Sequence, residues 1–301
     1  MHPLSGLILE KYQVRKTKKQ KTAFIELLQK HIDDLTIETG DFCKSRNIVV
    51  GNLENAKVVL TAHYDTAPVL PFPNFLAPKN MLAYLAYCFI LFGLFFVISV
   101  ILSIVTMILF DSPILTFIIS YALLLFCIGY MFIGKENKHT ANDNTSGVIT
   151  LIEVLHNEQL KDKVCCVFFD HEEVGLFGSA LFAKTHKDIL KDKLLINFDC
   201  VGEGDTIMLI YSKLAEKYKN QLEESFKNIN QKEFIVTSAK TTLYPSDQMN
   251  FKNNIGVASF KKNKWIGYYM DKIHTSKDTV CDMDNIEAII AGLSSFINEG
   301  E

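Results

Sequence analysis

Several short stretches place carboxylate and imidazole side chains directly after apolar runs. In TAHYDT (61–66) the run Val58, Val59, Leu60 ends in His63 and Asp65, two residues apart. The run VCCVFF is followed by Asp170, Glu172 and Glu173, and LLINF is followed by Asp199. Asp143 opens DNTSGV at the mouth of an apolar helix, and His274 stands in HTSKDT, ahead of the last helix. Taken singly, each is what a strand looks like where it reaches water. The chemistry appears only if the fold brings them together.

Such a concentration of carboxylate resists ionising unless positive charge compensates it. A pair of divalent cations would supply that charge. Two histidines with several carboxylates suit zinc first, with cobalt or manganese as substitutes. His63 is then placed as a ligand, and Asp65 can accept a hydrogen bond from its other ring nitrogen. In Glu172-Glu173, adjacent side chains point in different directions. One can bind metal while its neighbour faces the attacking water, the division of labour that metal-assisted hydrolysis requires.

The elements expected to position these residues alternate between strand and helix. Strands are expected at 57–62, 165–169, 194–198, 207–211, 234–237 and 257–260. Helices are expected around Phe24, Leu27, Leu28 and Ile32, at 146–155 behind Asn and Thr capping residues, and at 176–186, 213–227 and 286–297. Continuous apolar strands alternating with helices imply an α/β fold with a mixed, mostly parallel sheet covered on both faces. In open sheets of this kind, functional residues collect beyond the carboxyl ends of the strands, and the groups named above lie at those ends.

The composition is 49% apolar, and the excess is concentrated in one region. Residues 81–110 carry no formal charge, and after Asp111-Ser112-Pro113 neither do residues 114–134. Each stretch can cross a hydrocarbon core of roughly 30 Å. The expectation is a transmembrane helical hairpin at 80–135, inserted between residues 1–79 and 136–301 of one catalytic domain. Lys79 precedes the first span, Lys135 and Lys138 follow the second, and the turn between them has no lysine or arginine. The positive-inside rule then predicts an integral membrane protein of two spans whose catalytic domain faces the cytoplasm.

The first residues lack the long apolar core of a secretory signal, in keeping with that side. The cluster Arg15, Lys16, Lys18, Lys19 and Lys21 is read either as a contact for anionic lipid or as a solvated basic tail. Small residues such as Gly93 and Ser99 are of the kind that lets spans pack, so a homo-oligomer is compatible with the sequence. A net charge of −3 gives no support to a nucleic-acid partner. The seven cysteines (Cys43, Cys88, Cys127, Cys165, Cys166, Cys200 and Cys281) lack paired spacing and read as reduced, buried residues rather than a disulfide framework.

In the order TAHYDT, DNTSGV, FFDHEEVGLFGS, NFDCVG, SDQMNF and HTSKDT, the motifs resemble the co-catalytic zinc exopeptidases, which include bacterial leucyl aminopeptidases, aminopeptidase Y and, more distantly, glutaminyl cyclases. The resemblance spans about residues 22–296, excluding the hairpin. It implies an α/β/α sandwich, two divalent metal ions and a peptide substrate with a free N-terminus. It also implies that His63 and Asp199 hold one metal, that Glu173 and His274 hold the other, and that Asp143 bridges them. The catalytic residues would be Glu172 as general base, with Asp65 orienting His63.

Two features depart from the family pattern. The hairpin fills most of the interval from Tyr64 to Asn142, and Gln248 stands where relatives often have histidine. Tyr244 is a candidate contact for the substrate carbonyl, or plain packing. His139, His171 and His186 match no family role and are expected at the surface. Beside the aminopeptidase reading stand a glutaminyl cyclase on the same fold and a non-catalytic, receptor-like relative.

Overall fold

The computed structural model describes residues 1–40, 44–229 and 232–298. Among the described residues, nine strands form one sheet: β1 (Leu35–Thr39), β2 (Arg46–Val50), β3 (Val58–His63), β4 (Val164–Phe169), β5 (Leu194–Phe198), β6 (Thr206–Tyr211), β7 (Glu233–Ser238), β8 (Asn254–Asn263) and β9 (Gly267–Tyr269). Their order is β1-β2-β4-β3-β5-β8-β6-β7, with β9 pairing off the path with β8. The centre, β4-β3-β5-β8, is parallel. Antiparallel pairs join β1 to β2, β2 to β4, β8 to β6 and β8 to β9, and β7 returns parallel to β6.

Every residue of β3, β4, β5 and β6 is buried, as strands covered on both faces should be. Successive side chains point to opposite faces. Val58 and Leu60 therefore join one core cluster with Phe24, Leu28, Val148 and Ile289, while Val59 joins Phe169 and Phe182 in a second. The helices are α1 (Pro3–Lys11), α2 (Lys18–His31), α3 (Met81–Phe110), α4 (Pro113–Ile133), α5 (Gly147–Leu155), α6 (Phe177–Thr185), α7 (Lys187–Leu190), α8 (Lys219–Lys227) and α9 (Met283–Asn298). The first core cluster draws on α1, α2, α5, α8 and α9, and α6 covers the opposite face.

Some elements differ from the sequence expectation. Strands β1, β2 and β9 and helix α1 were not anticipated. The helix expected from residue 213 begins as a 3₁₀ turn, Ala215–Tyr218, before α8. β1 and β9 are short edge strands in which no residue is fully buried, so their apolar alternation is weak.

Helices α3 and α4 are uncharged and apolar along their length, and both are long and apolar enough to cross a membrane. Asn80 caps α3 by accepting the Ala83 N–H, Asp111 turns the chain in the left-handed region at φ 47°, and Ser112 with Pro113 starts α4. The two helices meet through Ser103 and Ser120, whose hydroxyls lie 2.8 Å apart. Their outer faces leave residues such as Leu82 and Phe92 about four-fifths exposed, an arrangement that water disfavours and acyl chains accept. The base of the hairpin is tied to the sheet: Asn80 Nδ2 donates to the Ile266 carbonyl at 3.0 Å, and Leu76 bridges to Met270.

Replacing residues 81–133 with a short polar linker is expected to release the remaining domain into the supernatant after ultracentrifugation, whereas the full chain sediments with membranes until detergent is added.

Candidate metal centre

His63 is the last residue of β3, Asp199 follows β5 directly, and Glu172 with Glu173 lies in the turn after β4. These three strands are parallel neighbours, with His63 in register with Phe169, so their carboxyl ends deliver the side chains to one place. Asp143 comes from the 141–146 segment that leads into α5, where its own backbone is extended at φ −110° and ψ 100°. The Asp143–Asn144 peptide is cis. His274 comes from the loop after β9 and lies in the left-handed region at φ 59°, and Cys200, next to Asp199 after β5, lies there at 56°, a conformation uncommon for residues other than glycine and concentrated at functional sites.

Asp143 stands between the two histidines and turns one oxygen to each. Its Oδ1 is 3.4 Å from His63 Nε2, and its Oδ2 is 2.9 Å from His274 Nε2. Each histidine has a further carboxylate of its own: Asp199 Oδ1 lies 3.5 Å from His63 Nε2, and Glu173 Oε2 lies 3.2 Å from His274 Nε2. Tetrahedral zinc with bonds of about 2.0–2.2 Å would set neighbouring ligand atoms about 3.3–3.6 Å apart; the His63 half, at 3.4 and 3.5 Å, has that spacing, and the His274 half, at 2.9 and 3.2 Å, is drawn in to hydrogen-bond distance. Glu173 Oε1 is buried without a hydrogen-bond partner among the described residues, as a carboxylate kept for a cation would be. The residues present fit the group.

Burial and neighbouring charge together set the proton balance of these side chains. Burial opposes charge on His63 and His274, yet Glu172, Asp143 and Asp199 around the first, and Glu173 and Asp143 around the second, hold both imidazoles well above their ordinary value. Burial likewise raises Glu172 and Glu173, and neighbouring carboxylates add to the effect. Burial pushes on Asp143 in the same direction, but the two histidines overcome it and bring Asp143 below the usual range. Protons and a divalent cation would therefore compete for the same donors.

The support around these ligands differs in one respect from expectation. His63 Nδ1 faces the backbone oxygen of Asp65 at 3.1 Å, and the Asp65 carboxylate stands off at 3.8 Å. That carboxylate instead accepts the N–H groups of Glu172 at 2.9 Å and Glu173 at 3.3 Å, so it fixes the turn that carries both glutamates. Asp170 pairs with Lys21 and accepts the Arg46 N–H, and joins neither His63 nor His274. The Tyr244 hydroxyl is buried and donates to the Asp199 carbonyl at 2.9 Å, and Gln248 is built into the same support, accepting from Asn197 and donating to the Tyr244 carbonyl.

Other supporting residues were not singled out in the sequence. Asp278 accepts the N–H groups of Asn142 at 2.8 Å and Asp143 at 3.0 Å, and burial beside Asp143 pushes its carboxyl up to about 8. It lies four residues after His274 in the same motif, a spacing that could have drawn attention. Arg15 carried no such signal. The basic cluster is neither a free tail nor wholly lipid-facing, because Arg15 and Lys21 are buried. Arg15 Nε donates to the Tyr64 carbonyl, its Nη1 donates to Thr145, and burial draws the guanidinium down to about 9. His171 and His186 are half-buried against Ser45 and Glu38, and His139 is exposed. All cysteines among the described residues are free, and Cys43 lies outside them.

The centre opens into a cavity of ≈ 180 Å³ walled by Asn74, Phe75, Leu76, Tyr84, Tyr244, Pro245 and Ile273. Tyr84 belongs to the first turn of α3, so the hairpin contributes to the wall.

The model of peptidase family M28 matches residues 128–295. Among solved structures, Porphyromonas gingivalis glutaminyl cyclase is similar with a TM-score of 0.61 at 15% identity over 99% of this chain and 97% of that one. Tannerella forsythia glutaminyl cyclase gives 0.60 at 16% over 97% and 96%. The Legionella pneumophila LapA aminopeptidase gives 0.53 at 14% over 98% and 67%. At these identities the likeness is one of fold. No curated protein matches the sequence.

Two outcomes follow from this geometry. Asp278→Ala is expected to weaken zinc binding about 10–100-fold, read by competition with a chelator, because it frees the backbone that aims Asp143. With metal removed, the raised values of His63, His274, Glu172 and Glu173 mean that the folded chain binds more protons than the unfolded one. Their stabilising contribution is complete below the ordinary values of these groups and is lost as pH rises through the folded ones, while the lowered value of Asp143 matters only in acid. The melting temperature of the chelated protein should therefore fall as pH is raised above neutrality, and zinc should flatten that dependence.

Proposed function

The chain belongs to peptidase family M28, and from that premise we propose that it is a membrane-anchored, zinc-dependent aminopeptidase that removes residues from the free N-terminus of peptides. The observation that carries this reading is Asp143 set between two histidines, each with its own carboxylate. In this assignment His63 and Asp199 hold one zinc, His274 and Glu173 hold the second, and Asp143 bridges them. The ions would supply Lewis acidity and lower the pKa of water.

The remaining work falls to the chain's own groups. Glu172 lines the cavity and sits in surroundings that raise its affinity for a proton, which suits a group that takes a proton from the attacking water and returns it to the leaving amine. Asp65 acts by positioning, through the backbone of Glu172 and Glu173. Tyr244 likewise positions Asp199, its hydroxyl being engaged by that residue's carbonyl. The hairpin, inserted within the catalytic domain, anchors it in the bilayer, and the lysines flanking the spans support a cytoplasmic site.

Glutaminyl cyclisation is the second reading, supported by the fold likeness to cyclases. The paired histidine and carboxylate sets on either side of Asp143 favour two metals and hydrolysis.

Glu172→Gln is expected to keep zinc bound while lowering turnover of a mixed peptide pool by about 10²–10⁴-fold, followed by mass spectrometry. Full activity in that variant would end the mechanism, and loss of ammonia from N-terminal glutamine in the wild type would select the cyclase.

A further inference from the structure

The segment that joins the metal centre to the first span is uncharged from Ala67 to Pro78 and carries Leu70, Phe72, Phe75 and Leu76. It faces two environments. Towards the centre, Asn74, Phe75 and Leu76 line the cavity together with Tyr84 of α3. Away from it, Leu70, Pro71 and Phe72 line an apolar groove with Phe95 of α3 and Phe126 and Tyr130 of α4. The Phe72 and Phe95 rings meet edge to face at 6.0 Å, Phe75 lies 5.6 Å from Tyr87, and the Tyr87 hydroxyl donates to the Pro73 carbonyl.

The lengths of the spans give these contacts a depth. α4 has 21 residues, a rise of about 31 Å, which matches a hydrocarbon core of roughly 30 Å. Measured from the turn at Asp111, Phe95 stands about 24 Å along α3, inside that core. Phe72, in contact with it, therefore reaches acyl-chain depth. α3 has 30 residues and outruns α4 by about 13 Å, which lifts its first two turns, including Tyr84, to headgroup level. On the same side, Lys16 Nζ donates to the Phe132 carbonyl in the last turn of α4, a cation placed where lipid phosphates lie.

The geometry points to an active site whose mouth sits on the bilayer surface, with Phe72 at the tip of the 69–76 segment reaching into acyl chains, and to a substrate class: the free N-terminus of an apolar peptide whose body lies in the membrane. This inference rests on the aminopeptidase reading and names its substrates. The charged amine of such a peptide stays at the interface while its apolar body is held in lipid. The substrate is therefore concentrated in the layer where Phe75 and Tyr84 wall the cavity.

The test places Phe72→Trp in a Trp265→Phe background, which leaves a single tryptophan, and reconstitutes the protein in phosphatidylcholine vesicles with and without brominated acyl chains. Blue-shifted emission that is lost with brominated lipid is expected. Water-like emission indifferent to bromine, from protein that floats with the vesicles, would overturn the proposal. In the same vesicles the wild type is given two peptides that share their N-terminal residues, one with a soluble body and one with an apolar, lipid-partitioned body. The second is expected to be trimmed about ten- to a hundredfold faster, and equal rates, or a faster soluble peptide, would overturn the substrate class. Protein inert towards both peptides counts against the aminopeptidase reading, and the fluorescence still decides where the mouth sits.

Discussion

Asp143, Glu173 and Asp199 share a largely buried space with His63 and His274, at distances where like charges cannot all remain ionised without a cation among them. Much of the surrounding structure is arranged to hold that grouping in place. Backbone N–H groups beside Asp143 are fixed by Asp278, those of the two glutamates by Asp65, and the Asp199 carbonyl by Tyr244. Asn144 joins the turns from the other side, donating to the Phe198 carbonyl and accepting from Gly147 and Cys200. Asp143, Glu173 and Asp199 are thus each aimed by a hydrogen bond made elsewhere on their own segments, which keeps the grouping together.

The sheet supplies the coarse placement. Parallel strands β4, β3 and β5 end together, so three separate segments deliver side chains to one edge without a long loop. The hairpin departs from and returns to this same edge, since it lies between His63 and Asp143. The apolar hairpin and the candidate metal centre therefore share a boundary, and Tyr84 belongs to both: it stands in the first turn of α3 and in the wall of the cavity.

The buried strands, the two long apolar helices and the carboxylate and imidazole side chains that the fold gathers were legible because each rests on a local signal: continuous apolar runs, long uncharged stretches, or carboxylate and imidazole directly after a strand. The supporting contacts were not. Arg15 reads in sequence as one of several basic residues before a helix, and only packing against Phe24 and the Tyr64 carbonyl makes it a buried strut. Asp65 was expected to hold His63 through its carboxylate, but the turn after β4 offers two unpaired N–H groups that hold the carboxylate more directly, leaving the backbone oxygen for the ring. Strands β1 and β9 were missed because partly exposed edge strands carry little apolar periodicity.

The central claim is that the Asp143 cluster is a two-metal centre, and the most direct measurement is the zinc content per chain of detergent-purified protein by elemental mass spectrometry, for the wild type and for His63→Ala and His274→Ala. The account predicts two tightly held ions in the wild type and one in each variant, since each histidine belongs to a different half of the site. A single ion in the wild type, lost with one histidine and indifferent to the other, would contradict it.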